Sequence, residues 1–207
     1  TNIPSQVIEF LSTAGTGIVS YKSVEPDETD EEKANKSKVR DAIVSALSNA
    51  LGTDIPLPDP LQEMEVKLGH VCRTGETVFL DLSEESSGTK RLISSLPNIF
   101  IALEQGLPVC VDEIDASLHT HVASLILELF SSAQTNPHGA QLIATTHDTN
   151  LLRSKCLRRD QIWFAEKSSY GETQIFSLAD FKTRPEDNME KAYLQGRFGA
   201  VPSPSAR

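Results

Sequence analysis

Two short apolar runs constrain this chain more than any other feature. Residues 107–111 (Leu-Pro-Val-Cys-Val) stop abruptly at two adjacent carboxylates, Asp112 and Glu113. Residues 142–144 (Leu-Ile-Ala) stop the same way at Thr145, Thr146 and His147. Between them, residues 117–133 carry apolar side chains at 118, 122, 125, 126, 129 and 130, the spacing of an amphipathic helix. Strand, helix, strand at this spacing predicts an α/β fold with a right-handed parallel sheet and buried strands. Ligands of such sheets bind outside the carboxyl ends of the strands. Asp112, Glu113 and His147 are therefore expected along one ligand-facing edge.

The rest of the chain reads around that edge. Residues 3–11 have apolar side chains at 3, 7, 8, 10 and 11, and Pro4 suits a helix start. Ala14-Gly15-Thr16-Gly17 breaks that helix, and residues 17–24 read as an edge strand. Residues 25–38 are dense in Asp, Glu and Lys, a solvated connector or the start of an exposed helix. Residues 39–51 predict a short helix, and 52–60, with three prolines, a loop. Residues 63–70 and 77–82 alternate as two strands joined by a hairpin at Gly75-Glu76. A polar turn over 83–91 opens a helix running to about 105, with Pro97 as a possible kink. Residues 148–152 start a short helix; 161–165 and 173–177 are closing strands turned at Tyr170-Gly171. From 182 onward the sequence is a polar tail whose Gly, Arg and aromatic content suits a docking turn.

Charge and cysteine usage narrow the function classes. A net charge of −10 and a pI near 5.0 make general binding to nucleic acid or anionic membranes by this chain alone unfavourable. Cys72, Cys110 and Cys156 are far apart and odd in number, which reads as a reducing compartment without a disulfide framework or structural zinc. Cys110, inside an apolar run, is expected in the core. No apolar run approaches the roughly 18 residues of a membrane span, so a cytoplasmic location is expected.

Three motifs carry chemistry. Asp112-Glu113 can divide the work of phosphoryl transfer to water, one acid near a magnesium ion and the other on the attacking water. Two surface acids opening a loop would look alike in isolation. Glu85-Ser86-Ser87-Gly88-Thr89 places hydroxyls and backbone N–H groups at a helix start, where a phosphate binds. An ordinary N-cap with a solvated Lys90-Arg91 competes with that reading. His147 at a strand end can contact a γ-phosphate or be structural. His119-x-His121 raises a metal pair only weakly, because residues two apart on a helix diverge. No GxxxxGK[ST] phosphate cradle occurs anywhere in the 207 residues.

In this order the motifs resemble the C-terminal half of an ABC-type ATPase head, more narrowly the SMC-like, OLD-related ATPases of bacterial abortive-infection and antiphage-defence systems. The resemblance covers residues 63–202 and implies a P-loop-NTPase-like C-terminal lobe without the N-terminal lobe and its Walker A. It implies domains at 1–60 (connecting helical segment), 61–181 (lobe) and 182–207 (tail), in a chain that is a fragment of a longer protein and inactive alone. By resemblance Asp112 is the Walker B aspartate acting on Mg2+, and Glu113 polarises the attacking water. His147 is the switch histidine. Ser117 and His119 belong to a D-loop (residues 116–119) that crosses a dimer interface, and Ser86, Ser87 and Gly88 face the ATP of a partner head. The ending Ala192-Tyr-Leu-Gln-Gly-Arg-Phe-Gly-Ala-Val-Pro also looks like that of these ATPases. The signature departs from Leu-Ser-Gly-Gly-Gln, and His119 stands where transporters keep an aspartate.

Three functions follow as expectations. The first is an ATP-hydrolysing motor or sensor subunit, using ATP and Mg2+ and working as a dimer or higher oligomer. The second is an ATP-gated dimerisation scaffold that presents a partner nuclease or toxin with little hydrolysis of its own. The third is a metal-dependent hydrolase using Asp112, His119, His121 and His147.

Overall fold

The computed structural model describes residues 3–25, 29–51, 65–183 and 188–201. The expected loop at 52–60 and the expected strand start at Glu63 lie outside them. The chain divides into two compact units, Thr1–Ile93 and Ser94–Arg207. In the first, α1 (Ser5–Thr13) follows Pro4 and buries Val7, Phe10 and Leu11 at helical spacing. Gly15, at φ 75°, lets the chain turn out of the helix. Three strands then form an antiparallel sheet in the order β1 (Ile18–Val24), β2 (Glu65–Val71), β3 (Thr77–Asp81). Ile18 and Leu68 are fully buried. Lys67 and Asp81, directly opposite across β2 and β3, form an ion pair at 2.8 Å. A Cβ at Gly69 would stand 2.2 Å from Ser20 Oγ and 2.8 Å from Thr77 Cγ2, so the strands close up only over glycine.

Of the two readings of the charged stretch, the start of an exposed helix holds, and that helix continues into the one expected over 39–51. One helix, α2, runs unbroken over Asp30–Leu51. Its Glu, Lys and Ala residues are strong helix formers and sustain the helix without a continuous apolar face. Val39 and Ile43 on it remain about half exposed. The next helix, α3 (Ser87–Gln105), spans the boundary between the units. It buries Leu92, Leu96, Ile99 and Leu103, a spacing of four, three and four, and keeps Pro97 within it.

In the second unit β4 (Pro108–Val111) and β5 (Gln141–Ala144) pair in parallel, with Val109 opposite Leu142 and Val111 opposite Ala144. The mixed α/β character and the parallel pairing are as expected for a P-loop-NTPase-like fold. The burial is not. This sheet has two strands among the described residues, and Ile143 is 62% exposed. The pleat turns Val109 and Val111 to the half-buried side and leaves Pro108 and Cys110 exposed, so Cys110 is not a core residue. The connecting helix α4 (Thr120–Ser131) starts three residues later than its periodicity suggests, because Ser117 at φ 62° cannot enter a helix. It buries Val122, Ala123, Ile126 and Leu127. Among the described residues no helix is long and apolar enough to cross a membrane.

A second ribbon, β6 (Trp163–Lys167) with β7 (Thr173–Ser177), is antiparallel. β6 is displaced two residues from its expected start because a 3-10 turn occupies Arg159–Gln161. The segment 188–201 packs onto this ribbon as part of its core rather than trailing as a polar tail. Its short helix α5 (Met189–Leu194) buries Ala192, and Phe198 is 3% exposed. Phe164 stacks on Tyr193 and Phe198 at centroid distances of 5.3 and 5.7 Å, and Phe181 meets Phe198 edge-on at 5.1 Å. Tyr193 Oη donates to Ala200 O at 2.9 Å and closes the turn. Phe198→Ala is expected to lower stability by about 3–5 kcal/mol, measured as a shift of the urea denaturation midpoint.

Candidate functional site

The parallel pairing brings the carboxyl ends of β4 and β5 to one edge, and Thr145 binds that edge together. Its N–H donates to Val111 O at 3.1 Å, and its carbonyl accepts from Ile114 N at 2.9 Å. Its hydroxyl accepts from Glu113 N at 2.8 Å and lies 2.5 Å from Asp112 Oδ1. A backbone N–H can only donate, so the hydroxyl proton points to Asp112. One residue thus holds four consecutive residues of the facing strand end. Glu113 needs this hold: its φ is 49°, a left-handed conformation that costs a side-chain-bearing residue about 1–2 kcal/mol.

Glu113 Oε1 stands 3.5 Å from His147 Nε2, with side chains 54% and 84% exposed. The acid, the histidine and Asp112 therefore share one edge, open to water. His147 N donates to Asp115 Oδ1 at 3.3 Å. Thr120 Oγ1 donates to Asp148 Oδ2, and Asp148 Oδ1 accepts from Asn150 N at 2.9 Å and Asn150 Nδ2 at 2.8 Å. Burial pushes the Asp148 carboxyl up, but the bonds from Thr120 and Asn150 outweigh it and hold the group below the ordinary aspartate value. The loop after β4 and the loop after β5 are therefore fastened to each other at several points.

Between Glu113 and α4 the chain makes two tight turns, Ala116 N to Glu113 O and Leu118 N to Asp115 O, both at 2.9 Å, around buried Ile114. Ser117 lies on this turn. His119 caps α4: its Nδ1 accepts from His121 N at 3.1 Å, which places any single ring proton on Nε2. Among the described residues no three His, Cys, Asp or Glu side chains gather to hold a metal ion, so the set Asp112, His119, His121, His147 is not assembled as a metal centre.

Ser86, Ser87 and Gly88 belong to the first unit. Ser86 Oγ accepts from Thr89 N at 3.1 Å and contacts the Thr89 hydroxyl at 2.9 Å, so it serves as an N-cap of α3. Ser86 and Ser87 are exposed, whereas Gly88 is buried. Glu85, with a side chain only 8% exposed, is held by His70 Nε2 of β2 at 2.7 Å. That anchor had no local sequence signal, because its partners are fifteen residues apart. The roles of Thr145, Asp115 and Asp148 were equally hidden; only their position at a strand end or beside the acids pointed to them.

A family model described as "AAA domain, putative AbiEii toxin, Type IV TA system" matches residues 13–153. The chain belongs to this family. The matched span of the AAA domain takes in Ser86–Gly88, Asp112, Glu113 and His147. No curated protein matches the chain. An AAA domain is a nucleotide-binding module of ATPase type. The donor set fits the magnesium that accompanies a nucleotide: Asp112 and Glu113 offer hard carboxylate oxygens, and Mg2+ takes one or two of these beside phosphates and water.

Thr145→Val removes both hydroxyl bonds and is expected to cost about 1–3 kcal/mol, while Thr145→Ser costs clearly less; thermal denaturation compares the two. Because the Asp148 value is depressed on folding, its stabilisation is present at neutral pH and is lost as pH falls through the folded value, below about 4. Asp148→Asn should therefore be less stable than the parent chain at pH 7, with the gap narrowing as the pH falls through the depressed value of the folded carboxyl, in a series of denaturation midpoints.

Proposed function

We propose that this chain supplies the hydrolytic edge of an ABC-type ATPase. The observation that carries the reading is the Glu113–His147 pair at 3.5 Å, on the strand edge that also bears Asp112, in a chain of the AAA-domain family. Asp112 holds the nucleotide's Mg2+. Glu113 orients the attacking water and takes its proton, and the side chain's exposure leaves it open to that water. His147 contacts the γ-phosphate. Ser117 and His119, on the turn before α4, face a second ATPase head, and Ser86, Ser87 and Gly88 serve the partner head's nucleotide. The commitment of Ser86 Oγ to its cap leaves Ser87 as the hydroxyl that is exposed without a capping role. No phosphate cradle of the GxxxxGK[ST] type lies in these residues, so another part of the ATPase provides it.

The family description names a toxin and a type IV TA system. On that basis the ATPase acts in the cytoplasm as the motor or sensor subunit of a bacterial defence system, with a nuclease or toxin as effector. In the intact ATPase, Glu113→Gln is expected to lower turnover by about 10²–10⁴-fold while ATP still binds. Steady-state hydrolysis beside a nucleotide-binding titration checks this. Turnover near the parent level sinks the assignment. ATP-dependent assembly without Glu113-dependent turnover replaces it with the dimerisation scaffold.

A further inference from the structure

We propose that the segment 188–201 is the far anchor of the loop carrying His147, with Glu190 as the positioning residue. The proposal rests on the reading of His147 and Glu113 as a hydrolytic pair. The His147 side chain is 84% exposed, so packing around the ring does not set its place. The backbone on either side of it does. On the near side Thr145 ties the loop to β4, and His147 N reaches Asp115. On the far side the chain enters a 3-10 turn, Thr149–Arg153, capped by Asp148.

That turn is gripped by the C-terminal segment. Glu190, on α5, accepts from Thr149 Oγ1 at 3.3 Å and pairs with Arg153 at 3.8 Å. The Glu190 side chain is 17% exposed but that of Arg153 is 65% exposed, so the part-buried bond from Thr149, rather than the solvent-weakened ion pair, is the stronger of the two holds. Leu152 of the turn packs against the aromatic cluster built by Phe164 and Phe198, and Leu151 is 4% exposed. The segment is itself firmly shaped. Asn188 caps α5 through Lys191 N, Arg197 N bonds Ala192 O, and Tyr193 reaches Ala200. Packing alone would be served by apolar residues. A mostly buried carboxylate aimed at Thr149 and Arg153 costs desolvation unless it is paired, and its partners here are two residues of the turn that follows His147.

The test uses the intact ATPase with Glu190→Ala, Glu190→Gln and the charge exchange Arg153→Glu with Glu190→Arg. Amide hydrogen exchange over residues 147–154 is measured beside Mg2+-ATP hydrolysis. Glu190→Ala is expected to speed exchange at the Leu151 and Ser154 amides roughly 10-fold. It should lower kcat about 10–100-fold with KM for ATP nearly unchanged, as a small misplacement of a catalytic group does. Glu190→Gln, which keeps an acceptor for Thr149, should lose less, and the charge exchange, which restores the ion pair but not that acceptor, should recover only part of both readouts. Unchanged exchange in Glu190→Ala overturns the proposal. So does faster exchange with parental kcat in an enzyme that Glu113→Gln inactivates. If the parent shows no Glu113-dependent turnover, the hydrolytic reading falls, and exchange over 147–154 alone decides whether Glu190 holds the loop.

Discussion

The acid edge depends on the hydrogen bonds of one side chain and its own peptide units. Thr145 lies just past the end of β5 and engages Val111, Asp112, Glu113 and Ile114 in turn. Without a hydroxyl there, the parallel ladder would still run from Pro108 to Val111. What would be lost is the definition of the first residues beyond it. A strand end normally frays because its last donors and acceptors lack partners. Here the partners come from the neighbouring strand's extension, so the two acids keep a defined backbone in a region open to water.

From that hold the remaining structure can be followed outward. The turn at Asp115–Leu118 leads into α4, whose cap is His119, and Thr120 of the same helix reaches across to Asp148. Asp148 caps the 3-10 turn that the C-terminal segment embraces. Strand ends, helix cap and the segment 188–201 therefore form a continuous series of polar contacts. Each contact is individually modest, since most of its members are partly exposed. The rigid scaffold behind them is apolar: Val122, Ala123 and Ile126 on α4, and the aromatic cluster on β6 and β7.

Much of the scaffold was legible in the sequence, for stated physical reasons. α1, α3, β3, β4, β5 and β7 stand where apolar periodicity put them, within a residue or two. The first part of α2 was legible only as one of two alternatives, because its intrinsic helix propensity needs no apolar stripe. The start of α4 misled because periodicity carries no information on the φ of Ser117. The C-terminal segment has glycines and aromatics but no regular period, so its burial could not be read from pattern. Within the site, residue types at strand ends were legible, whereas the bonds that orient them were not. Thr145 meets Asp112 and Glu113 across 33 and 32 residues, and His70 meets Glu85 across 15. Such pairings arise only when strands are laid side by side. Cys110 shows the converse: an apolar run marks a strand, yet says nothing of how many neighbours cover it.

The left-handed backbone at Glu113 has one more consequence. A position suited to glycine on conformational grounds is the one that bears the acid. A library of variants sorted only for folding robustness would therefore drift toward glycine or asparagine at residue 113 and discard the carboxylate on the way. Selection for durability and selection for chemistry pull in opposite directions at that single peptide unit.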